Sequence, residues 1–230
     1  MSLGVLASSI WHYGARADVY AKKHWDLVIV KNPNFLRIIG CIIFCISIIL
    51  AGLFLPKACL VIAIINTITI LVYAGFLDQY WPWKNLSIAM VCVTPLLLGW
   101  FSGHRLNPIV PPLIMATFFF YLTREMFKDI VDIEANRGKR FTMVMEVGTS
   151  TTLRTGGVIL AVSVFFILYS LRYTTPSTSV SATLILGAVW LAWFAIRAIG
   201  KTNIAKNFAW MDLGVVSVLV SLLITRTQMY

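Results

Sequence analysis

The sequence predicts an all-α protein, a polytopic membrane bundle of about seven transmembrane helices. The first observation behind this is composition: of 230 residues 59% are hydrophobic and 12% charged, with a mean hydropathy of +0.85. A soluble domain carries about twice that share of charge. The second is segmentation, with apolar runs at 35–55, 58–77, 86–102, 109–123, 157–173, 181–199 and 210–226. Most approach the span of a bilayer core, and because they are continuously apolar their backbone bonds must close within each segment, as in helices.

The third observation is charge. Seven spans put residues 1–34, 78–85, 124–156 and 200–209 on one side, and with Arg37 and Arg197 at the adjoining span ends that side holds fifteen of the nineteen Lys and Arg. Only Lys57, Arg105, Arg172 and Arg226 fall opposite. This is the bias of a positive-inside topology. The net charge of +10 is thereby accounted for by topology and by attraction to anionic lipid or a phosphorylated ligand, so no nucleic-acid partner is expected.

Taken in order, residues 1–13 carry no charged leader region and read as an interfacial stretch or the tail of a helix, without a cleaved signal peptide. A polar stretch follows at 14–34. Short turns, "DQYWPWKN" at 78–85 and "GHRLNP" at 103–108, join the next spans, and the aromatics of the first fit an interfacial belt. Pro111 and Pro112 suit a helix start. Residues 124–156 form the second polar stretch and read as a loop, with Gly156 and Gly157 at the start of the helix that follows. Cys41, Cys45, Cys59 and Cys92 lie inside apolar runs and read as small buried hydrophobes, since no His or carboxylate stands beside them. The whole chain, 1–230, reads as a single transmembrane domain.

Chemistry concentrates in "REMFKDIVDIEANRGKR", beginning at Arg124, with four acidic and five basic side chains. If the preceding helix continues through it, Asp129, Asp132 and Asn136 stand at i, i+3 and i+7 on one face, with Glu125 one turn before. Two carboxylates and an amide at a membrane boundary are suitable ligands for Mg²⁺, and Lys128, Arg137, Lys139 and Arg140 could meet a phosphate. The plainer reading is a solvated helix end with short-range pairs such as Glu125 with Lys128.

The run "LTREMFKDIVDIEANRGKRFT" resembles the second aspartate-rich motif of the UbiA superfamily of intramembrane prenyltransferases. The match lies in Arg124 and Glu125, then Lys128, Asp129 and Ile130, then Gly138, Lys139 and Thr142. The resemblance implies a helical bundle with two facing aspartate-rich motifs that bind Mg²⁺ and an isoprenyl diphosphate. It implies a metal site of Asp129, Asp132, Asn136, Asp18 and Asp26, and a diphosphate grip of Lys128, Arg137, Lys139 and Arg140. The first motif would be "ADVYAKKHWD" at 17–26, four spans before the second.

Departures from the family pattern weigh against catalysis. Val19 and Lys22 stand where the first motif has acids, and Asn136 replaces the third acid of the second. A lysine ammonium has no lone pair for a metal, although it can relieve the repulsion among carboxylates that a metal would relieve. The resemblance further implies that the family's first helix and most of its second are missing, which is expected to open the wall of the cavity. Two functions are therefore expected. One is a catalytically degenerate member serving as a structural or accessory subunit of a larger membrane complex, without a cofactor, and binding lipid such as a quinone, pigment or isoprenoid. The other is an active Mg²⁺-dependent prenyltransferase acting on an aromatic or other lipid-soluble acceptor. A transporter is disfavoured because no span has a central acid. The host membrane is expected to be an organellar or bacterial inner membrane.

Overall fold

The structure is a computed structural model, and it describes residues 33–103, 107–137, 140–173, 178–200, 210–214, 216 and 220. Among them every regular element is helical: α1 (Pro33–Phe54), α2 (Lys57–Gly75), α3 (Trp83–Ser102), α4 (Val110–Val131), α5 (Ile133–Asn136), α6 (Met143–Ser170) and α7 (Thr178–Ile199). Short 3₁₀ turns stand at Leu77–Gln79 and Leu171–Tyr173. The chain divides into two compact units, and the division falls within α3.

The first unit, in its described part, holds α1, α2, Asp78 and residues 97–103. Pro56 separates the two helices because it has no N–H to continue α1, and α2 starts directly after it. Buried Cys59 donates a weak bond to the Leu98 carbonyl at 3.7 Å. Ser47, Thr67 and Thr69 return their hydroxyls to carbonyls four residues back, which satisfies them in an apolar surrounding. Phe35, Ile38, Ile42, Ile49 and Leu53 form an exposed stripe along α1. Cys41 and Cys45 are exposed on the same helix, so the expectation that they are buried is corrected, and only Cys59 is fully buried.

The second unit packs α4, α6 and α7 side by side. Its core repeats at seven-residue spacing: Leu113, Phe120 and Phe127 on α4, Leu153, Leu160 and Ile167 on α6, and Leu184, Leu191 and Ala198 on α7. That spacing keeps one apolar seam facing its neighbours along the whole helix. The antiparallel pairing of α4 and α6 is fixed by two hydroxyls. Ser163 donates to the Ala116 carbonyl at 2.7 Å, and Thr123 to the Gly156 carbonyl at 3.2 Å. Pro111 and Pro112 lie in the first turn of α4, as expected, where a missing N–H removes no helical bond.

The segment 124–156 is not the long loop that polarity suggested. Residues 124–131 continue α4, α6 begins at Met143, and only 132–142 separate them apart from the short α5. Gly156 and Gly157 therefore lie inside α6. A Cβ on Gly156 would come within 2.5 Å of the Phe127 ring, and one on Gly157 within 3.0 Å of the Ala195 carbonyl, so both permit close helix approach. Gly148 interrupts α6 near its start with φ 81°, ψ 163°, a left-handed conformation that favours glycine.

Among the described residues four helices are long and apolar enough to cross a membrane: Asn34–Phe54, Trp83–Ser102, Met143–Tyr173 and Ser179–Ile199. In α2 the qualifying apolar stretch is the shorter Lys57–Tyr73. The apolar run of α4 ends in Arg124, Glu125, Lys128 and Asp129, and most of the expected last span lies outside the described residues.

Candidate functional site

Polar side chains of the second unit converge where α4 ends, α3 begins and α6 begins. On α4 the sequence Thr123 to Asp129 turns Thr123, Glu125, Met126, Phe127 and Asp129 inward and leaves Lys128 exposed. Asp129 is only 1% exposed, and Lys84, in the first turn of α3, is 3% exposed. The Lys84 Nζ donates to Asp129 Oδ1, and the Asn85 Nδ2 donates to Asp129 Oδ2 at 3.3 Å. Both oxygens of this carboxylate thus accept bonds, and its charge is met by a buried ammonium. A buried pair of this kind is held by mutual need, since either ion alone would be desolvated without compensation.

Glu125 lies one turn before Asp129 on the same face, also buried. Its Oε1 is 3.5 Å from the Arg124 guanidinium, while its Oε2 has no hydrogen-bond partner among the described residues. The Glu125–Lys128 pair considered from sequence is not formed, because the two side chains leave the helix toward buried and exposed sides. Arg124 instead reaches Asp212 in a two-pronged pair, 2.9 Å from Nε and 3.3 Å from NH2, and ties α4 to residues 210–214.

The helix does not run straight through the motif. Asp132, half-buried, closes α4 at φ −90°, ψ 13°, and α5 restarts behind it, with the Asn136 N–H bonded to the Asp132 carbonyl. Asn136 is buried on α5, not at i+7 of an unbroken helix, which corrects the expected single face. Arg137 pairs with exposed Glu134 at 3.5 Å, and Arg140 is half-buried. Lys139, Asp18, Val19, Lys22 and Asp26 lie outside the described residues.

A short clasp borders the Lys84–Asp129 pair. The Phe141 N–H donates to the Gln79 carbonyl at 2.8 Å, the Trp81 N–H to the Phe141 carbonyl at 3.1 Å, and the Trp81 indole to Glu146 Oε2 at 2.5 Å. These bonds, with the Arg124–Asp212 pair, gather the ends at 79–85, 124–146 and 210–212. Sequence reasoning passed over Lys84, Asn85 and Glu146. The only signal for Lys84 was a cation set at the first turn of an apolar segment.

Residues 30–216 match the sequence pattern of the UbiA prenyltransferase family. The chain belongs to that family. The matched range takes in α1 through α7 and the whole Arg124–Thr142 run, so the UbiA assignment rests on more than the motif that suggested it. The proposed first motif, 17–26, lies outside the matched range. No curated protein and no solved structure matches the chain. Membership of UbiA together with the four long apolar helices marks an integral membrane protein.

Proposed function

We propose that this UbiA member is catalytically degenerate and serves as a structural or accessory subunit of a larger membrane complex, with about seven spans in an organellar or bacterial inner membrane. The observation that carries this reading is the engagement of Asp129. A carboxylate whose two oxygens already accept from Lys84 and Asn85 fits Mg²⁺ poorly, because the ion would have to displace an ammonium that already neutralises the site. Neither the amide at Asn136 nor half-exposed Asp132, beyond the break in the helix, adds a further buried carboxylate to Glu125 and Asp129. Among the described residues no group of three or more His, Cys, Asp or Glu is placed to hold a metal. Lys22 and Val19 in the sequence of the first motif point the same way. Lipids, including a quinone, pigment or isoprenoid, are the proposed occupants of the bundle.

The active-enzyme alternative is favoured by one observation. Glu125, Asp129 and Asn136 remain buried at the family's motif, and Glu125 keeps one oxygen unbonded. In that reading Asp129, Asp132 and Asn136 would hold Mg²⁺, which would neutralise charge on a departing diphosphate. The other residues' part would be to grip that diphosphate and exclude water.

The deciding experiment is native purification in mild detergent with mass spectrometry of what co-migrates, joined to calorimetric titration with an isoprenyl diphosphate with and without Mg²⁺. Constant stoichiometry with other membrane proteins and no Mg²⁺-dependent binding is the expected result. A lone chain or homo-oligomer that binds the diphosphate only with Mg²⁺ would overturn the proposal.

A further inference from the structure

At the far end of α6 stands a cation that no acid among the described residues of its unit neutralises. Arg172 is exposed in the turn Leu171–Tyr173, at the limit of the apolar span Met143–Tyr173, and its guanidinium lies 5.5 Å from the centre of the Tyr169 ring. The Tyr169 and Tyr173 hydroxyls are 3.3 Å apart, so one bonds the other and one O–H remains for an outside acceptor. Phe165 stacks beneath Tyr169 at 6.0 Å.

The acids described in this unit, Glu125, Asp129, Asp132, Glu134, Glu146 and Asp212, all belong to the opposite end. The sequence contains no Asp or Glu between Glu146 and Asp212, nor between Asp78 and Glu125. The ends of α4 and α7 that reach this side, near 110 and 178, therefore bring no carboxylate to Arg172. The α6 C-terminus favours a cation at this position, but its partial charge is too small to serve as a counterion. Ring and helix end hold the guanidinium in place while its N–H fork stays available, and a guanidinium fork matches two oxygens of a phosphate.

We infer that Arg172, with the Tyr169–Tyr173 hydroxyl pair, is a binding site for the phosphate of an anionic phospholipid at the membrane boundary on the sparsely charged side. An anionic lipid is favoured over a zwitterionic one, whose phosphate already has its own cation nearby. Binding elsewhere on the chain, at the basic end, does not enter this site.

The test is native mass spectrometry of the full chain released from detergent containing phosphatidylglycerol or phosphatidylcholine, comparing wild type with Arg172→Gln and Arg172→Lys. Wild type should retain phosphatidylglycerol preferentially, and Arg172→Gln should retain about fivefold less, the effect of one surface cation on anionic lipid. Arg172→Lys should fall between, having charge without the fork. Equal retention in wild type and Arg172→Gln would overturn the inference. So would displacement of the lipid by inorganic phosphate that then remains bound, which would mark a free-phosphate site. Should Arg172→Gln lose its helical circular dichroism or its single elution peak, Tyr169→Leu replaces it in the comparison. Reduced retention then supports the site, and unchanged retention overturns it.

Discussion

The two ends of the α4–α6 pair treat charge in opposite ways. At one end Lys84 and Asp129 are taken out of solvent together and satisfied within the protein, and Arg124 is shared between Glu125 and Asp212. At the other, Arg172 stays exposed on a tyrosine ring, with no acid beside it among the described residues of its unit. A buried charge is tied to the fold because its partner must be present whenever the helices pack, whereas an exposed one can be lost at little cost to packing. The difference teaches that the basic end is part of the architecture of the bundle, while the sparse end offers its cation to the surroundings.

The largest effect should come from splitting the buried pair. Lys84→Met leaves Asp129 desolvated and should cost about 3–5 kcal/mol in detergent unfolding. Adding Asp129→Leu should recover most of that loss, since an apolar pair of similar volume needs no counterion. Recovery below a quarter would show that the pair's place is set by something other than mutual charge. Next is Gly156→Ala, whose new methyl must displace the buried Phe127 ring and should cost about 1–3 kcal/mol. Gly157→Ala tests the α6–α7 side of the same seam, and a neutral result at both would break the close-packed picture of this core.

Smaller again is the Arg124–Asp212 pair, which is partly solvated. A double-mutant cycle with Arg124→Gln and Asp212→Asn should give a coupling of about 0.2–1 kcal/mol that falls with added salt. A coupling of buried-pair size would move this contact into the same class as Lys84–Asp129. The smallest effect on folding belongs to Arg172→Gln, within about 0.5 kcal/mol of wild type in neutral detergent. A loss well beyond that would make Arg172 a structural residue and erase the contrast between the ends.

Much of the fold was legible in the residues because its signals are local. Apolar runs mark helices through backbone bonding in a medium without water. The seven-residue recurrence from Leu113 to Phe127 and from Leu153 to Ile167 was also present in the sequence, although only packing makes it visible as a seam. Polarity misled where it was taken for a loop. Residues 124–131 and 143–156 stay helical because their buried side chains, Phe127 and Leu153 among them, continue the same core.

The sequence alone determined the family, through Arg124, Glu125, Lys128, Asp129 and the matched length from 30 to 216, and with it the membrane-spanning helical class. It could not determine which cation meets Asp129, since Lys84 is 45 positions away and nothing local links a turn of aromatics to an acid in another helix. Only the tertiary structure brings them together. The break at Asp132 was likewise not evident from the spacing, which suggested one helix through Asn136, whereas α4 ends there and Asn136 is buried on α5. Helices follow from near-neighbour bonding and are written in short stretches of sequence; the pairing of charges across helices follows from packing, and is settled only when the seams close.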